Sequence, residues 1–91
     1  MDRKVPQNIQ LKLEIFREGD LYVGICPALS VSSFGDSIIE AKESVREALV
    51  AFIEECNEMG TLIEVLEESG FIWENGVWIY PQLIAVEMVT L

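Results

Sequence analysis

The apolar residues of this chain change period once, and the change falls at Gly35-Asp36-Ser37. Before it they alternate, with Ile9, Leu11, Leu13 and Ile15 on one parity and Gln10, Lys12 and Glu14 on the other. After it they recur at Ile38, Ala41, Val45, Ala48/Leu49, Phe52 and Cys56. A period of two places side chains on alternate faces of a strand, whereas the second spacing stripes one side of a helix. The chain must therefore build sheet first and helix second.

Local signals fill in the order. Glu18-Gly19-Asp20 interrupts the first strand, with Gly19 able to take the positive φ of a tight hairpin. Leu21 to Cys26 resumes the alternation, and Pro27 ends it because it has no amide to donate. Gly24 inside that strand allows either close helix packing or a bulge. A third strand runs from Val31 to about Phe34, and its serines mark it as an edge. Ser37 and Glu40 form a capping box, and Gly60 stops the long helix. A short helix starts at Thr61 with Glu64 as capping partner, buries Leu62, Val65 and Leu66, and stops at Gly70.

The remaining segment carries an Asn75-Gly76 pair inside Ile72 to Ile79, the signature of a type I′ hairpin. With Glu74 facing Val77, Trp73 and Trp78 form the next pair out, a contact contributing about 0.2–1 kcal/mol. Beyond Pro81, the run Leu83 to Val89 is apolar on both parities except for Glu87, which predicts a last strand covered on both sides. The predicted fold class is α+β, in the order β-β-β-α-α-(hairpin)-β, an antiparallel or mixed sheet backed by one long helix. Residues 1–91 make one domain: a flexible start at 1–7, a core at 8–60, and the short helix, tryptophan hairpin and last strand at 61–91. Helices can cover only one side of the sheet, so the other side needs the tryptophan hairpin or a second subunit.

Composition narrows the function. Apolar residues make up 51% of the chain, a surplus that fits a subunit contact. The longest unbroken apolar run, Ala48 to Ile53, is far short of the about 20 residues of a membrane span. No apolar stretch follows the basic pair Arg3-Lys4, so no signal peptide is expected and the cytoplasm is the predicted location. Six basic residues against sixteen acidic ones give a net charge of −10. Nucleic acid would repel such a chain, and Arg3, Lys4, Lys12 and Arg17 form no tight cluster, so direct nucleic-acid binding is not expected. The charge suits a basic protein partner, or it serves only to keep an apolar-rich chain soluble. Cys26 and Cys56, thirty residues apart in a chain without histidine, make no zinc site and read as buried small hydrophobes.

Catalytic readings fare poorly. Without histidine there is no Ser-His or Cys-His nucleophile, and the scattered glycines make no phosphate-cradling loop. The element order does fit a two-metal nuclease of the RNase H type, whose carboxylates converge on ions about 4 Å apart. Here Glu14 is the one acid in the body of the first three strands, with Lys12 on its face. Capping and solvation account for Asp36, Glu40 and Glu43. No enzyme, metal site or cofactor is expected.

The run Leu21-Tyr22-Val23-Gly24-Ile25-Cys26-Pro27-Ala28-Leu29, then Gly35-Asp36-Ser37, then Glu40-Ala41 and Glu47-Ala48, resembles the HicB family. That pattern is a hairpin ending in Pro-x-Leu, a Gly-Asp-Thr/Ser helix start and a helix with Glu-Ala pairs. The likeness covers roughly residues 9 to 58 and fades after Gly60. It departs where Ser30-Val31 replaces the usual Pro-Gly or similar turn. The resemblance implies a partial RNase H-like fold and a non-catalytic antitoxin that binds a small basic ribonuclease, the HicA toxin. Many such proteins also carry a DNA-binding segment; only Thr90 and Leu91 follow Val89, so operator binding is not expected. It also implies a homo-oligomer. The candidate partner or self-association surface is Glu14, Glu18, Asp20, Trp73 and Trp78, where the tryptophans form a contact patch or cap the open side of the chain's own sheet. The alternative reading is an orphan homo-oligomeric regulatory or structural protein joined through that hairpin.

Overall fold

The computed structural model describes residues 8–81 and 83–91 of the chain. The flexible start expected at residues 1–7 lies outside the described residues. Strands β1 (Glu14–Glu18), β2 (Leu21–Cys26) and β3 (Val31–Gly35) form an antiparallel meander in that order. The helices α1 (Ile38–Glu58) and α2 (Leu62–Glu68) follow, then a two-stranded hairpin of β4 (Ile72–Glu74) and β5 (Val77–Ile79). This is the expected α+β arrangement.

The hairpins obey their turn residues. Glu18 pairs with Leu21 across Gly19-Asp20, where Gly19 has φ 62°. Glu74 pairs with Val77 across Asn75 and Gly76, at φ 52° and 81°, as a type I′ turn requires. Between β2 and β3, Ser30 takes φ 56°, a left-handed conformation that costs a residue with a Cβ about 1–2 kcal/mol.

The first strand, expected from the alternation that starts at Ile9, is displaced toward the turn. Its ladder begins only at Glu14, which pairs with Ile25, because Pro27 ends the partner strand one residue beyond Cys26. The alternation upstream still holds, since Leu11 and Leu13 pack against the core. Ile9 instead makes a parallel bridge to Trp78: the Trp78 amide donates to the Asn8 carbonyl at 2.8 Å and the Gln10 amide to the Trp78 carbonyl at 2.9 Å. The meander and the second hairpin are thus tied at residues 8–10.

Helix α1 starts as predicted. Ser37 Oγ accepts the Glu40 amide at 3.1 Å, while Glu40 Oε1 accepts the Asp36 amide at 3.3 Å, one residue further out than a reciprocal box. Both helices end in a Schellman motif at a left-handed glycine. After α1, the Gly60 amide donates to Asn57 at 3.1 Å and the Thr61 amide to Cys56 at 2.9 Å. After α2, Gly70 donates to Glu67 at 3.1 Å and Phe71 to Leu66 at 2.9 Å. The first of these motifs overrides the expected cap of α2. Thr61 makes no side-chain cap, because its backbone is set by the end of α1 and its hydroxyl donates back to the Cys56 carbonyl at 3.3 Å.

The core lies between α1 and one sheet face. Ala41, Val45, Leu49, Ile53 and Cys56 form the buried helix stripe, and Cys26 joins Val45 and Leu49. Leu62, Leu66 and Phe71 extend the core beyond the sheet, alongside Ile53 and Cys56. Gly24 is a close-approach glycine within a regular ladder: an added Cβ would lie 2.8 Å from the Ala41 carbonyl oxygen and 2.9 Å from Val45 Cγ1. The Ser33 and Ser44 hydroxyls share a hydrogen bond that ties β3 to α1.

The expected last strand does not form. Leu83 to Leu91 carry no strand assignment and are exposed; Ile84 is 94% and Met88 93% accessible. A segment apolar on both parities needs a paired edge and cover on two faces, and it has neither within one chain.

Candidate functional site

Strand parity assigns the two sheet faces. Tyr22, Gly24 and Cys26 turn toward α1, so the opposite face carries Glu14, Phe16 and Glu18, then Leu21, Val23 and Ile25, then Ser32 and Phe34. Phe16, Val23 and Phe34 are cross-strand neighbours and make an apolar row across all three strands. The two phenylalanines are 54% and 64% accessible. Among the candidate residues, Glu14 and Glu18 flank Phe16 on this face, and Asp20 is exposed in the adjoining turn. One hairpin thus presents all three acids beside apolar rings.

The tryptophans are placed elsewhere. Trp73 and Trp78 are direct cross-strand partners, their rings edge-on with centroids 5.4 Å apart. Trp78 is half-buried against the cluster of Ile53, Leu66 and Phe71. Trp73 stays 57% accessible. The hairpin therefore completes the core beyond the sheet and leaves the row of Phe16, Val23 and Phe34 uncovered.

Sequence reasoning passed over a second acidic feature. The last turn of α1 holds Glu55 and Glu58 and that of α2 holds Glu67 and Glu68, with no basic residue in either turn. A helix C-terminus already carries partial negative charge, so acids there work against the helix. The signal was legible as glutamates, instead of lysine or arginine, ahead of Gly60 and Gly70.

The remaining chemistry is local. Lys12 Nζ lies 3.4 Å from Glu14 Oε2, and the Glu40 carboxylate is engaged at the helix start. Among the described residues no three or more acids or cysteines are grouped to hold a metal ion. Cys26 and Cys56 are buried free thiols, as expected, and burial pushes the Cys26 thiol upward against two opposing backbone hydrogen bonds from Leu29 and Ala28. An open groove of about 710 Å³ runs between Lys12, Glu14 and Pro27 on one side and Tyr80, Pro81 and Leu83 on the other. Among the described residues no helix is long and apolar enough to cross a membrane. No protein-family model, curated protein or solved structure matches the chain.

Proposed function

We propose that this chain is a non-catalytic, cytoplasmic binding module of the HicB antitoxin type that captures a small basic ribonuclease. The observation that carries the reading is the acidic last turn of both helices. Glu55, Glu58, Glu67 and Glu68 oppose the helix dipoles, and a field kept at some expense to the fold serves a binding partner of opposite sign. Glu18 and Asp20 add a separate acidic patch at the opposite end of α1, beside its start. The pieces of the HicB-like pattern also have compatible structural roles: Pro27 to Leu29 forms the turn, Asp36-Ser37 starts the helix and Ala41 packs beneath the sheet. Two buried free thiols suit a reducing compartment.

Co-expression with the product of an adjoining reading frame encoding a small basic protein tests this. The expected result is a complex that dissociates with rising salt and relieves growth arrest by that product. Glu58→Lys and Glu68→Lys should each raise the stability of the chain by about 0.3–1 kcal/mol while weakening the complex. A complex indifferent to both substitutions and to salt, or no complex with any such neighbour, overturns the proposal.

A further inference from the structure

Three features remain unused: the exposed segment 83–91, the open edge of β1, and the uncovered row of Phe16, Val23 and Phe34. We infer that they form one interface, in which residues 83–91 of a second copy of this chain pair antiparallel to β1, and the exchange is reciprocal.

Direction decides the occupant. Ile9 and Trp78 pair in parallel, so the chain leaves β5 heading the same way as β1. Continued along its own β1, that register would set Glu87 beside Glu18, two like charges on neighbouring strands. Running antiparallel instead would first require the chain to travel the length of β1 and turn. That journey exhausts a nine-residue segment whose full extent is about 30 Å. A second copy has no such constraint.

In antiparallel register, Glu87 can lie opposite Arg17. The same register brings Met88 to Phe16, Val89 to Ile15 and Leu91 to Leu13. Parity then puts Met88 beside Phe16, at the end of the apolar row, and Val89 and Leu91 on the other face beside Ile15 and Leu13, so each parity meets an apolar neighbour. Six large apolar side chains of the segment are more than 60% accessible. Four of them, Val86, Met88, Val89 and Leu91, lie along Leu13 to Glu18 in this register; at roughly 100 Å² each, two segments and their two acceptor edges would bury on the order of 1,600 Å², the standard size of a specific interface. Isologous contact requires this kind of self-complementarity. The pairing does not depend on a basic partner, and either proposal can fail without the other.

Sedimentation equilibrium of the full chain should give a dimer. Arg17→Glu and Glu87→Arg should each weaken it roughly tenfold, since a symmetric dimer contains the pair twice, and the double exchange should restore it. A Phe16→Cys/Met88→Cys variant should oxidise to a disulfide-linked dimer. Circular dichroism confirms that each variant keeps its fold. A monomer at every concentration, a disulfide within one chain, or a dimer insensitive to both charge reversals overturns the inference.

Discussion

Replacing Gly24 by alanine adds one methyl group where β2 and α1 lie closest. The new Cβ would sit 2.8 Å from the Ala41 carbonyl oxygen, 2.9 Å from Val45 Cγ1 and 3.1 Å from Val45 Cβ. Carbon atoms settle at about 3.5–4.0 Å, so the shortfall against Val45 is roughly 0.5 Å or more. Neither neighbour can yield alone. One is helix backbone, and Val45 is fully buried. The helix must therefore move, and overpacking of this kind costs about 1–3 kcal/mol. Removing a glycine from a strand interior returns about 0.5–1 kcal/mol, leaving a net loss of about 1–2 kcal/mol. For a domain of this size that lowers Tm by roughly 5–15 °C. Thermal and urea melts followed by circular dichroism would measure it. The Val45→Ala background removes the 2.9 Å contact to Cγ1 and leaves those to the Ala41 carbonyl and to Cβ, so Gly24→Ala should cost less there. An unchanged or higher Tm for Gly24→Ala, or an equal loss in both backgrounds, would refute the close-approach argument.

Other outcomes follow from the same geometry. Ser30→Gly relieves a residue at φ 56° and should raise stability by about 1 kcal/mol, read from the urea midpoint. Trp78→Ala should cost about 2–3 kcal/mol because the ring packs on the core, whereas Trp73→Ala, more exposed, should cost under about 1 kcal/mol; equal losses would contradict their placement. Cys26 favours its protonated form in the folded state, so its contribution is intact below the unfolded thiol value of about 8.5 and is lost as pH climbs toward the higher folded one. Stability should therefore fall across alkaline pH, and Cys26→Ala should flatten that slope. Native Cys26 should also react with a thiol reagent only as fast as the chain opens.

Where a signal depended on neighbours in sequence, it was legible. The switch of period at Ser37, the glycine stops at 60 and 70, and Asn75-Gly76 each prescribe a backbone geometry within a few residues, and each appears. The errors arose where partners are distant. Nothing near Ile9 shows that β2 ends too early to pair with it, or that Trp78 will take its place. Thr61-x-x-Glu64 reads as a cap until the Schellman motif of α1 claims Thr61 first. The candidate surface divides for the same reason. Glu14, Glu18 and Asp20 share a hairpin and stayed together, whereas grouping them with Trp73 and Trp78 required a tertiary arrangement that local pattern cannot supply.

The segment after Pro81 shows how such a miss becomes informative. Its two-sided apolar pattern states a requirement for cover on both faces and says nothing about who provides it. Within the chain the requirement goes unmet, although the edge and apolar row that could meet it lie on β1 and its neighbours. Six large apolar side chains left in water, beside an acceptor that the chain's own backbone can reach only in the wrong direction, are the ground for the intermolecular strand inferred above. Edge strands ordinarily carry charge to block such pairing, and β1 does carry Glu14, Arg17 and Glu18. Those charges become selective rather than prohibitive once Glu87 is the one charge on the incoming segment and Arg17 is its single match.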